Sequence, residues 1–162
     1  MNTVLVVYFS KTGNVKLLAR KAVELLNADV EELIDNTKWT GADGFFRRAR
    51  RSINKGDTVI DPVKYNPKDY EKILVFSPYW GPNICPAVRT YLKQNKDFIQ
   101  ELSFVMLGAF TTDSGKVKTE VESMGFKLNS LLSLLDKGQS GKGTGELQGE
   151  NLLRLREFVE QI

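Results

Sequence analysis

Three stretches of strand length in this chain are apolar almost without interruption: TVLVVYF at residues 3–9, ILVFS at 73–77 and FVMLGAF at 104–110. A strand with one face in water alternates apolar and polar residues, so a strand without alternation must be covered on both faces. Segments of helical period fall between them. Val15, Leu18, Ala19, Ala22, Val23, Leu25 and Leu26 trace one helix face, residues 86–92 and 117–124 look like helix starts, and Leu152, Leu155, Phe158, Val159 and Ile162 mark a closing helix. DVEELI at 29–34 and LNSLLSLL at 128–135 supply two further strands.

Alternating strands and helices imply an α/β fold with a parallel sheet between two helix layers, a three-layer sandwich. Five strands in 162 residues favour an open doubly wound sheet over an eight-stranded barrel, which usually needs about 250 residues. The order 2-1-3-4-5 is one of the two common solutions. The length suits a single domain over residues 1–162. Residues 36–67 are too long for a simple connection and predict a helical insertion between strands 2 and 3, with Phe45, Phe46, Ala49 and Ile53 roughly on one face. That helix reads either as a surface element with solvated arginines or as a lid or partner-docking element.

Composition removes several kinds of chemistry. There is no histidine and one cysteine, Cys85. Ser-His-Asp and Cys-His catalysis are excluded, as are an internal disulfide and dithiol redox work. No catalytic side chain and no metal site is expected, and any redox function would need a bound cofactor. No apolar run approaches the roughly 20 residues of a membrane span, and the N-terminus lacks the pattern of a secretory signal. The expectation is a cytoplasmic chain without membrane insertion.

The net charge is +3, with a basic cluster at Arg47, Arg48, Arg50 and Arg51. The remaining charges are mixed in sign and no nucleic-acid motif is visible, so no nucleic-acid partner is expected. KGQSGKGTG at residues 137–145 falls short of a phosphate-binding Walker loop. Asp136 stands where its first glycine belongs, and Gly143 stands where its Ser or Thr belongs. It reads as a flexible connection.

In an open parallel sheet, ligands bind at the carboxyl ends of the strands. Three loops converge there. SKTGN, residues 10–14, packs two hydroxyls, an amide, a lysine and a glycine between a buried strand and a helix start. Unpaired amides and the helix dipole favour an anion at such a place. The second loop, after strand three, contains Tyr79 and Trp80 between prolines, a poor composition for core packing alone. The third, Phe110, Thr111, Thr112, Asp113, Ser114 and Gly115, follows strand four.

Together these segments resemble the flavodoxin family. SKTGN is similar to the family's phosphate loop, [ST]-x-T-G-[NT]-[TS]. SPYWGPNICPAVRTYL at residues 77–92 resembles the stretch that forms its second flavin loop, and FTTDSG at 110–115 its third. Even the insertion with GFFRRARRSI is similar to one found in a branch of the family. The resemblance implies FMN as cofactor. Ser10, Lys11 (through its backbone), Thr12, Gly13, Asn14 and Val15 would hold the phosphate. Pro78, Tyr79, Trp80, Gly81, Pro82 and Asn83 would border the isoalloxazine, and Phe110, Thr111, Thr112 and Gly115 would line its far edge.

The chain departs from the family pattern in places. Val15 replaces the last hydroxyl of the phosphate loop, and the chain is slightly basic where electron-shuttling flavodoxins tend to be strongly acidic. Cys85 falls within the second loop, as an inert small residue or a redox-sensitive one. The resemblance implies a redox protein that transfers electrons through bound flavin to an unidentified partner protein or small acceptor. It would be a carrier, or an FMN-dependent oxidoreductase such as a quinone reductase. A flavodoxin fold without cofactor, serving interaction or regulation, is the alternative. A low-molecular-weight phosphatase would need C-x5-R, and Cys85 with Arg89 gives only C-x3-R. A receiver domain would need carboxylates at the ends of strands one and three, which this chain lacks.

Overall fold

Val4–Tyr8 (β1) is buried at all five positions, as its uninterrupted apolar sequence requires. It lies between two parallel neighbours, Asp29–Glu32 (β2) and Lys72–Trp80 (β3), with Leu5 opposite Asp29 on one side and Ile73 on the other. Glu101–Gly108 (β5) pairs in parallel with β3, and Leu128–Leu135 (β6) with β5. A two-residue strand, Asn83–Ile84 (β4), folds back antiparallel on the end of β3. The order is β2-β1-β3-β5-β6. Counting the parallel strands alone, this is the expected 2-1-3-4-5. This computed structural model describes residues 3–37, 54–108, 113–136 and 149–162, with positions 44, 46, 47 and 50.

Four helices among the described residues cover the sheet: Asn14–Leu26 (α1), Pro86–Gln94 (α2), Gly115–Ser123 (α3) and Gly149–Val159 (α4). The period of two along β1 divides the core. Val4, Val6 and Tyr8 pack with Leu18, Ala19 and Ala22 of α1 and Leu155 and Val159 of α4. Leu5 and Val7 join Val88 and Tyr91 of α2 and Val117 and Val121 of α3 on the other side.

The expected strand ends differ from the observed ones in one consequential place. β3 runs on through Pro78, Tyr79 and Trp80, turns at Gly81–Pro82, and returns as β4 with Tyr79 opposite Ile84 and Trp80 opposite Asn83. Gly81 has φ +63°, the left-handed value that the first position of a tight hairpin turn requires. The second loop is therefore a hairpin rather than an open connection. A two-residue strand is too short for alternation to reveal it.

The segment between β2 and β3 is stitched back onto the sheet. Asp35 bridges Ile60, and Glu31, buried in β2, accepts hydrogen bonds from the Lys64 and Tyr65 amides at 2.7 and 2.9 Å. Its return passes over α2, where Thr90 Oγ1 donates to Thr58 O at 2.8 Å and accepts from Thr58 N at 3.1 Å. That cover explains why α2 is buried continuously from Pro86 to Leu92, Arg89 and Thr90 included. In the basic helix, positions 44, 46, 47 and 50 are helical and Phe46 is 71% exposed. Phe45, Arg48, Ala49, Arg51 and Ile53 lie outside the described residues, as do residues 137–145.

Candidate functional site

The loop after β1 ends at the start of α1, and the helix opens without a side-chain cap. Its N-cap residue is Gly13, with φ +97° and nothing within 4 Å of where a Cβ would stand. Leu17 N bonds to Gly13 O at 3.0 Å, so the amides of Asn14, Val15 and Lys16 precede the first intrahelical bond and lack a helix acceptor. Gly13's own amide is engaged: it donates to Ser10 Oγ at 3.1 Å. That bond curls the loop and leaves the Ser10 hydroxyl proton free to donate outward. Lys11 and Thr12 are exposed.

Two neighbours complete this cradle. Asn14 Nδ2 donates to Asp136 Oδ2, and Asp136, just past β6, is itself fixed by its amide on Gly108 O at 2.7 Å. Asn14 Oδ1 is buried with no hydrogen-bond partner, an acceptor that a ligand hydroxyl could satisfy. Val15 is 4% exposed and packs into the α1-side core. The hydroxyl that the sequence loses here would point into that core, while Val15's amide remains at the helix start.

The hairpin divides its aromatics between core and crest. Trp80 is 8% exposed and packs edge-on against Phe9, ring centroids 5.7 Å apart. It belongs to the core, and the open ring is Tyr79. Tyr79 is half-buried and its hydroxyl meets Ser133 Oγ of β6 at 2.6 Å, reaching past β5. Burial raises the Tyr79 phenol's pKa and the nearby Asp113 carboxylate adds to the rise, against the Ser133 hydrogen bond. Pro78 and Pro82 are partly exposed, Gly81 is exposed and Asn83 is buried in β4. Of the third loop, Gly115 is exposed and donates its amide to Asp113 Oδ1 at 3.0 Å. Phe110, Thr111 and Thr112 lie outside the described residues.

Behind the hairpin, Cys85 is wholly buried beside Ser77, whose Oγ accepts the Cys85 amide at 3.4 Å and lies 3.5 Å from Sγ. Burial pushes the thiol up to about 11, so the nucleophilic thiolate is absent near neutrality.

The flavodoxin family model matches residues 3–141. The chain belongs to the flavodoxin family. Its fold is shared with a presumed flavoprotein of Bacteroides eggerthii, at 17% identity over 99% of this chain and 97% of that one, TM-score 0.77. A Lactobacillus acidophilus flavoprotein crystallised in complex with FMN aligns at 21% identity over 82% and 93% of the two chains, TM-score 0.67. The rubredoxin oxygen:oxidoreductase of Desulfovibrio gigas aligns at 15% identity with all of this chain and 35% of its own, TM-score 0.58. No curated protein sequence matches the chain.

Within this flavodoxin fold, sequence reasoning named the three loops after β1, β3 and β5, Asp113 among their residues, but missed the hairpin and missed Asp136 and Ser133 as neighbours of the crest. Asp136 carried one usable signal, its place directly after the last strand. Ser133 is a polar residue inside an apolar strand and carried no signal of the Tyr79 hydroxyl that reaches it. Among the described residues no cluster of His, Cys, Asp and Glu could hold a metal, and no helix is long and apolar enough to cross a membrane.

Proposed function

We propose that this flavodoxin-family chain binds FMN at the crest of its sheet and transfers electrons through it. The observation that carries the reading is the opening of α1: three amides before the first helical bond, no side-chain cap, and Gly13 in a left-handed conformation in front of them. That arrangement suits a phosphate, which the amides and the helix dipole both stabilise. The unpartnered Asn14 Oδ1 suits a ribityl hydroxyl as donor.

The residues present fit the cofactor. Ser10, Lys11, Thr12, Gly13, Asn14 and Val15 would hold the phosphate end, with Ser10 and Thr12 contributing hydroxyls. Pro78, Tyr79, Gly81, Pro82 and Asn83 would border the isoalloxazine, with Trp80 supporting them from the core. Phe110, Thr111, Thr112 and Gly115 would line the other side. When bound, the flavin supplies the redox chemistry, and the chain supplies binding, orientation and shielding. Tyr79 offers an aromatic face held by Ser133, and such stacking contributes roughly 0.5–1.5 kcal/mol beyond area burial. Electrons would pass to a redox partner protein or a small acceptor, and the slightly basic charge favours an acidic one.

Protein purified under non-denaturing conditions, or reconstituted with FMN, is expected to show flavin absorbance with quenched flavin emission. Loss of the flavin on gel filtration at micromolar protein, with emission unchanged from free FMN, would overturn the reading.

A further inference from the structure

A cavity of about 320 Å³ lies outside the phosphate cradle, lined by Lys55, Pro82, Asn83, Lys116 and Thr119. We propose that it is a binding subsite for a small planar aromatic anion, one carrying a sulfonate or carboxylate on its rim. Its walls come from three separate segments: the returning end of the insertion, the β3–β4 hairpin and the first turns of α3.

A buried ion pair sets the spacing of those walls. Arg89 Nε meets Glu120 Oε1 at 2.5 Å, and their side chains are 1% and 2% exposed. Arg89 also donates to Gly56 O at 2.6 Å and to Ile84 O at 3.0 Å, while Glu120 Oε2 accepts the Ile84 amide at 3.3 Å. Each residue so held adjoins a wall residue: Gly56 follows Lys55, Ile84 follows Asn83, and Glu120 follows Thr119. Burying an ion pair carries a desolvation penalty that only good geometry offsets. Here the geometry fixes three chain segments around one space. Lys55 adopts φ +51°, a left-handed value uncommon for lysine, beside the carbonyl that Arg89 grips.

The charge on the cavity's own lining is one-sided, two lysines and no acid. Lys55 and Lys116 are both exposed, and neither forms an ion pair among the described residues. Of the acids near them in sequence, Asp57 receives Lys93 on both oxygens at 2.8 and 2.9 Å and Glu120 is bound to Arg89, while Asp113, three residues before Lys116, accepts the Gly115 amide and keeps its charge. Pro82, Thr119 and the lysine stems can offer apolar surface to an occupant, and the two ammonium groups can meet its charge. A flat ring system with an anionic edge matches both parts, and the volume lies at the small end of ligand sites. Pro82 and Asn83 also belong to the hairpin proposed to border the flavin, so the occupant would sit beside it. The subsite's role in electron transfer thus rests on the proposed function, whereas its existence does not.

The test is calorimetric titration of the FMN-loaded protein, its loading read from absorbance, with naphthalene disulfonate and with uncharged naphthalenemethanol. Lys55→Ala/Lys116→Ala is expected to weaken disulfonate binding roughly tenfold, the scale of two exposed ion pairs. The alcohol's affinity should hold, and so should disulfonate binding in Lys68→Ala/Lys118→Ala, which removes two exposed lysines outside the cavity. Equal disulfonate affinity in all three proteins, no binding to the wild type, or parallel loss of both ligands would overturn the proposal. If FMN is not retained the functional reading fails, and the same titration on the flavin-free chain still decides the subsite.

Discussion

Gly13 shows how much one residue can decide at this crest. Its φ of +97° is forced on the chain where β1 gives way to α1, and no neighbouring atom would collide with a Cβ there. Gly13→Ala therefore acts through the backbone alone, at a cost of roughly 1–2 kcal/mol for a left-handed L-residue. The expected outcome is a flavin-free protein destabilised by about that amount in denaturant, with FMN affinity reduced severalfold in a fluorescence titration. Unchanged affinity would mean that the loop does not touch the ligand.

Cys85 illustrates the opposite case. From sequence it could be inert or redox-sensitive, and its complete burial, which raises the thiol pKa to about 11, favours the inert reading. Iodoacetamide at neutral pH should label it at the rate of unfolding, and fast labelling of the native protein would contradict that. The left-handed turn at Gly13 was legible because glycine's backbone freedom is local. Trp80's place was not, since the hairpin that turns it into the core depends on a two-residue strand and on contact with Phe9.

At the scale of elements, α2 and the hairpin depend on each other through Arg89 and Glu120. Removing one partner leaves a buried charge uncompensated, which typically costs about 3–5 kcal/mol. Glu120→Ala should lower the unfolding free energy by that order in urea, far more than Glu122→Ala on the exposed side of the same helix. A loss below about 1 kcal/mol would show that water reaches Arg89. β1, β3 and β5 were readable because double-sided burial leaves an uninterrupted apolar run, and the edge strand β6 fell on its expected residues, 128–135, though only two of its positions are buried. The burial of Arg89 and Thr90 was not readable. An arginine on a helix suggests solvent until the returning insertion, whose contacts span more than thirty residues, is laid over it.

For the whole molecule, the titration of the interior gives a direct expectation. Burial raises the phenol pKa of Tyr8, Tyr70, Tyr79 and Tyr91, and Cys85 moves the same way. The unfolded chain releases these protons from about pH 9 for the thiol and about pH 10 for tyrosine. The folded chain keeps them, so stability falls as pH rises through that range. Tyrosinate absorbance from these four of the five tyrosines should therefore appear together with loss of near-ultraviolet circular dichroism, and gradual ionisation of all five in a folded protein would contradict the burial seen here. The alternation of elements left two common sheet orders, of which the one expected with the flavodoxin resemblance is observed, whereas the meeting of Lys55, Pro82 and Lys116 around one cavity needed the folded chain.

The central claim is that the start of α1 is a phosphate cradle serving a flavin. Its most direct test is to titrate flavin-free protein with FMN and with riboflavin, which differ only in the phosphate, and to follow emission quenching. FMN is expected to bind more tightly by a factor of roughly 100 or more, since several hydrogen bonds to a charged group contribute about 1.5–3 kcal/mol each before desolvation and ordering are subtracted. Equal affinity for the two flavins, or binding of neither, would contradict the account.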